Sequence, residues 1–169
     1  MASQQPADVA SLAPALWARL AGAKRVVIGS HISPDGDAIG SALALSHALD
    51  QLKVPHDVLF RDEPPDNLRF LPGTENISHA TDGGPWDVAV VLDLEALDRL
   101  GSVQPCLASA PFMVVIDHHL PIVAPGDFRV VDTTYPATCS ILTELLQHSE
   151  LEVTPEMALC LATGILTDT

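Results

Sequence analysis

The stretch "VVIGSHISPDGDAIGSALAL", residues 26 to 45, constrains the fold more than any other. It opens on a continuous β-branched apolar run, which reads as a buried strand. It passes through a short loop holding His31, Asp35 and Asp37 and ends in residues with helical spacing. A strand buried on both faces that feeds straight into a helix predicts a parallel sheet.

The rest of the chain repeats this alternation. "HDVLF", "WDVAVVLD", "PFMVVIDHH" and "FRVVD" read as four more strands, and "TCSILTELLQHS" and "PEMALCLATGILTDT" as further helices, with Pro155 in the first turn of the last. Residues 1–24 are expected to be a helical lead-in, where Val9, Leu12, Leu16 and Leu20 keep helical spacing although Pro14 interrupts it. "RDEPPDNLRFLPGTENI" reads as mostly loop. The expected architecture is one α/β domain, a parallel Rossmann-like sheet of about five strands with helices on both faces. A chain of 169 residues is long enough for one such core.

Open parallel sheets bind ligands outside the carboxyl ends of their strands. Three strands here end in chemistry: the first in His31, Asp35 and Asp37, the third in Asp93, the fourth in Asp117, His118 and His119. Each taken alone has a bland reading, since an Asp-rich turn before a helix is ordinarily a cap. Their coincidence points instead to one shared site. Carboxylate oxygens with neutral imidazole nitrogens suit Mn²⁺, Fe²⁺, Co²⁺ or Zn²⁺. So many carboxylates would repel one another without cations between them, and a carboxylate between two cations can bridge them. The helix after Asp37 brings a positive end, and Gly36 and Gly40 are expected to let the backbone turn closely there. The arrangement favours an anion, with phosphate the natural candidate. Asp132 reads as a turn residue, and His47, His56, His79 and His148 lie away from the strand ends. Trp17 and Trp86 read as packing residues.

The net charge is −14, with eight Lys and Arg against 22 Asp and Glu. Such a surface repels long nucleic acid, so an anionic substrate needs a local reversal of sign, which divalent cations supply. Three scattered cysteines make neither a disulfide framework nor a CxxC zinc site and read as buried thiols. No apolar run is long enough for a membrane span, and the N-terminus lacks a signal-peptide pattern, so a cytoplasmic protein is expected. No GxGxxG follows the first strand, which argues against a plain dinucleotide-binding domain.

"SHISPDGDAIGSALAL", "VVLDLEALDRLG", "VVIDHH" and "GILTDT" resemble the successive motifs of the DHH phosphoesterase family, and "LRFLPG" and "YPATCSILTELL" resemble its intervening segments. The resemblance runs from Arg25 onward and is strongest to the branch of bacterial bifunctional oligoribonucleases and 3′-phosphoadenosine 5′-phosphate phosphatases. It implies that His31 and Asp35 bind one Mn²⁺, that Asp37, His118 and Asp168 bind a second, and that Asp93 bridges the two. Mg²⁺, Co²⁺ or Fe²⁺ are the alternative metals. His119 then faces the substrate phosphate as a catalytic group, and Asp117 orients the histidines by accepting a hydrogen bond. Arg99 and Gly101 match the end of the second motif, with Arg99 either holding the loop or reaching a phosphate. Glu95 stands where relatives tend to carry a small residue.

The implied activity is hydrolysis of short oligoribonucleotides from the 3′ end, of 3′-phosphoadenosine 5′-phosphate, or of both, to nucleoside monophosphates. Cyclic dinucleotide hydrolysis is the alternative within the family, and a silent nucleotide-binding module of the same fold is the rival outside catalysis. Long nucleic acid and membranes are not expected partners, and a homodimer is compatible with the resemblance. Relatives continue into a DHH-associated C-terminal domain that closes over the metals. Residues 1–169 are therefore expected to be the DHH domain alone, weakly active by itself.

Overall fold

The computed structural model describes residues 8–169, so the first seven residues of the expected lead-in lie outside it. Six parallel strands form the sheet: β1 (Val26–Gly29), β2 (His56–Leu59), β3 (Ile77–Ser78), β4 (Val88–Leu92), β5 (Phe112–Asp117) and β6 (Phe128–Val131). They lie in the order β3-β2-β1-β4-β5-β6. The five expected strands are all present. The sixth, β3, corrects the count and falls at the end of the Pro- and Asp-rich run read as loop. It is two residues long and pairs only with β2 at the sheet edge, too short to show a period in sequence.

Along each central strand, successive side chains go to opposite faces. Val26, Ile28, Val88, Val90, Val114 and Ile116 enter a large core with α1 (Val9–Ala21), α2 (Gly36–Gln51), α4 (Thr138–Gln147) and α5 (Pro155–Asp168). Val27, Ala89, Val91 and Val115 enter a smaller core, covered by the 3₁₀ segment Leu97–Val103 and α3 (Gln104–Ala108). Among the described residues, no helix is long and apolar enough to cross a membrane.

Pro14 does not break α1. The helix continues to Ala21 because Val9, Ala13, Leu16, Trp17 and Leu20 make one buried face, and Trp17 Nε1 donates to the Leu145 carbonyl at 2.8 Å. Trp86 likewise packs in the smaller core and donates to Asp57. Thr154 caps α5, accepting from the Met157 amide, with Pro155 next in its first turn.

Gly36 and Gly40 act through packing rather than through a turn, since both lie inside α2. A Cβ at Gly40 would stand 2.4 Å from the Cys160 carbonyl oxygen, and one at Gly36 would stand 2.3 Å from Thr167 Oγ1. On the facing helix, a Cβ at Gly164 would stand 3.0 Å from Asp37 Oδ1 of α2 and 2.3 Å from Cys139 Sγ of α4. The small residues thus let α2 and α5 approach closely, which carries Asp168 at the end of α5 to the sheet edge. Gly40→Ala gains helix propensity but forces backbone apart from backbone. It is expected to cost about 1–3 kcal/mol of stability. A thermal melt checks this, and an unchanged midpoint would mean that α5 moves aside freely.

Candidate metal centre

The strand order reverses between β1 and β4, and the crevice at such a switch point is where open sheets place their sites. The register puts Gly29 beside Val91 and Leu92 beside Ile116, so the three chemistry-bearing strand ends are level. His31 and Asp35 follow β1. Asp93 follows β4, with its amide donating to the Ile116 carbonyl at 3.0 Å. His118 and His119 follow Asp117, the last residue of β5. Asp168 arrives from α5.

Two further connections fix the loop after β1. The Ile32 amide donates to the Arg99 carbonyl at 2.7 Å, and the Ser33 amide donates to Asp62 Oδ2 at 2.7 Å. Arg99 therefore holds the loop through its backbone while its side chain lines the cavity beside the centre. Gly101 packs under this loop at φ +63, where a Cβ would meet Ile32 Cγ2 at 2.8 Å. Asp93 itself has φ +57, a conformation Asp tolerates better than most residues, and this turns its carboxylate into the crevice.

The side chains form overlapping groups. His31, Asp35 and Asp93 offer ligand atoms within 4.8 Å of one another, and so do Asp37, His118 and Asp168. Asp93, His118 and His119 make a third such group. His31 Nδ1 bonds the Ile32 carbonyl at 2.8 Å, which leaves Nε2 facing Asp93 Oδ2 at 3.3 Å and Asp35 Oδ1 at 3.7 Å. His118 Nε2 lies 3.1 Å from Asp168, 3.4 Å from Asp93 and 3.6 Å from Asp37. That buried nitrogen has no hydrogen-bond partner among the described residues. A nitrogen ringed by three carboxylate oxygens without a bond to any of them fits a cation shared among them.

Asp35 also caps α2, accepting from the Ala38 amide at 2.9 Å, so the capping reading holds for a side chain that lies in the His31 group as well. Asp117 accepts twice from His119, from its amide at 3.2 Å and its Nδ1 at 2.8 Å. His118 is 13 % exposed and His119 42 % exposed, so the two neighbours face different surroundings. Asp132 is a turn residue, accepting from the Thr134 amide and hydroxyl.

The crowding of charges at this centre shifts its proton affinities in both directions. Burial works against the His31 imidazolium, but Asp35 and Asp93 outweigh it and push its pKa up to about 10. Burial and the charge of Asp93 push Asp37 up to about 7. Burial also opposes ionisation of Asp93, yet His118 and His31 hold it well below the usual carboxylate range. Hydrogen bonding to Asp117 raises His119 to about 9. A cation held by His31 would have to displace the His31 proton, so its affinity would rise with pH.

One contributor was not singled out in the sequence. Thr138, fully buried, opens α4 and donates its hydroxyl to Asp93 Oδ1 at 3.2 Å. The Thr138 and Cys139 amides donate to Asp37 at 2.8 Å and 2.9 Å. The residue before them, Ala137, has no side chain able to cap the helix. A helix start with no cap of its own signals that an acceptor must come from elsewhere.

Fold and site together define an α/β domain with a carboxylate–histidine centre suited to cations at its switch point. The chain belongs to the DHH family: residues 25–165 match the family's N-terminal domain. The bifunctional oligoribonuclease and PAP phosphatase NrnA of Thermus thermophilus is 37 % identical over 145 residues, 85 % of this chain and 43 % of that protein. The solved exopolyphosphatase-related protein of Bacteroides fragilis superposes with a TM-score of 0.85 at 28 % identity, over 99 % of this chain and 52 % of that one. RecJ of Thermus thermophilus, solved in complex with Mn²⁺, shares the fold with a TM-score of 0.56 at 19 % identity, over 98 % of this chain and 25 % of that one. The chain thus spans less than half the length of the NrnA relative it matches.

Proposed function

We propose that this chain is the metal-holding part of a cytoplasmic phosphoesterase. Its substrates are short oligoribonucleotides and 3′-phosphoadenosine 5′-phosphate, cleaved to nucleoside monophosphates. The observation that carries the reading is the buried, unpartnered His118 Nε2 among the oxygens of Asp37, Asp93 and Asp168. Such a nitrogen needs a cation, and a cation centre beside an open cavity is suited to phosphate chemistry. The NrnA relative, an oligoribonuclease and PAP phosphatase by name, supports the substrate class, and the Mn²⁺ complex of RecJ supports manganese.

In this reading His31, Asp35 and Asp93 hold one ion, and Asp37, Asp93, His118 and Asp168 hold the other. Bound cations supply Lewis-acid chemistry, offsetting phosphoryl charge and making water a nucleophile at neutral pH. The protein's own groups do the rest. Asp117 fixes His119 through Nδ1, which leaves Nε2 to donate to a phosphoryl oxygen as charge builds there. Arg99 adds a guanidinium to the cavity wall. A C-terminal half of the kind the relatives have room for would close the cleft and exclude water.

The test is a rate comparison on the manganese-loaded chain between a diribonucleotide and an RNA of about 20 nucleotides. A long RNA brings many phosphates to a strongly acidic surface, so the dinucleotide is expected to be preferred by about tenfold or more in kcat/KM. Turnover by residues 1–169 on their own is expected to be slow. Fast processive cutting of the long RNA by this chain overturns the reading.

A further inference from the structure

The cavity beside the centre measures about 360 Å³ and is lined by His31, Asp35, Glu95, Arg99, His119 and Leu120. Next to it lies a groove of about 470 Å³ whose walls include Ala96, Leu97, Ile122 and Val123. Glu95 and Arg99 line both, so the pair stands between the space at the centre and the apolar groove. Arg99 Nη1 lies 3.5 Å from Glu95 Oε1. Of the eight Lys and Arg in the chain, Arg99 alone lines the cavity.

Glu95 has no evident structural task for its carboxylate. It belongs to none of the groups able to hold a metal among the described residues, and its backbone carbonyl, not its side chain, accepts from the Ile122 amide. A negative group on the wall of a cavity that receives phosphate works against binding unless it discriminates. Paired with Arg99, it offsets the one cation of the passage, and Asp35 on one side and Asp98 on the other bring no further positive charge. Past that passage the walls are mostly apolar, with Asp98 as a further carboxylate, which suits the uncharged sugar and base of a nucleotide and not a phosphate.

Resting on the phosphoesterase reading above, we propose that the Glu95–Arg99 pair is a charge filter that admits a nucleoside beyond the centre and disfavours a second phosphate. With one phosphate at the centre, the ribose hydroxyls can donate to Glu95 while the base lies along Leu97, Ile122 and Val123. A 3′,5′-bisphosphate would place its other phosphate against the same carboxylate. Glu95 thus sets the preference between the two substrate types, favouring a dinucleoside monophosphate over the bisphosphate.

The test is calorimetric binding of adenosine 5′-monophosphate and of 3′-phosphoadenosine 5′-phosphate to the manganese-loaded chain. Glu95→Gln is expected to tighten the bisphosphate about tenfold while moving the monophosphate less than about twofold. Arg99→Gln, which leaves Glu95 without its counter-charge, is expected to weaken the bisphosphate more than the monophosphate. Manganese affinity should be unchanged in both. Equal shifts for the two ligands, no shift in Glu95→Gln, or no binding of either ligand overturns the filter. Because binding is read without turnover, a chain that discriminates but does not hydrolyse retains the filter and loses the enzymatic reading. A chain that hydrolyses with an unmoved ratio does the reverse.

Discussion

Asp93→Asn is expected to weaken manganese binding at both ion positions together, by about 100-fold or more. The proposed bridging role requires this. Asp93 Oδ2 faces His31 at 3.3 Å and Oδ1 faces His118 at 3.4 Å, so one carboxylate stands between the two proposed ion positions. Asparagine tolerates the same positive φ, and the Thr138 hydroxyl can still donate to its amide oxygen, so the substitution changes charge with little change of shape. Removing the charge also removes a main support of the raised His31 pKa. Calorimetry reads stoichiometry and affinity together. Loss of one ion with the other intact would assign Asp93 to a single position, and unchanged binding would remove it from the centre.

The adjacent histidines are expected to separate cleanly. His118→Ala should lose metal, because it deletes the nitrogen that three carboxylates surround. His119→Ala should keep metal and lose rate on a dinucleotide, roughly 100-fold if its role is to stabilise charge in the transition state. The geometry supports the contrast, since His119 spends Nδ1 on Asp117 and is the more exposed of the two. Its Nδ1 also lies 3.6 Å from Asp93, so equal metal loss in both variants would make His119 a ligand instead.

What could be read from the sequence followed from what strands and helices do locally. His31, Asp93 and His118 announce themselves because each stands where a β-rich run stops, and a parallel sheet gathers such ends. What could not be read depended on contacts between distant segments. Thr138 is an ordinary helix-start threonine until Asp93 is seen beside it. Gly40 reads as a turn residue until the Cys160 carbonyl is found against it. β3 has two residues and no period to detect. Pro14 reads as an interruption because the packing of Trp17 against α4, which holds α1 together, is not a local property. Arg99 had two candidate tasks in the sequence; its backbone carbonyl performs the first by accepting from the Ile32 amide, and the residue lines the cavity beside the centre.

The two amides at the head of α4 have a consequence for how the centre is loaded. They hold Asp37 from a position about 100 residues away in sequence, and they do so with peptide dipoles that need no ion. The proposed receptor for the cation would therefore be assembled by the polypeptide itself. Stripping the metal with a chelator should leave α4 anchored and Asp37 aimed, so the ion can leave and return without unfolding. A receptor preformed in this way would let the proposed ions exchange without any refolding of the domain.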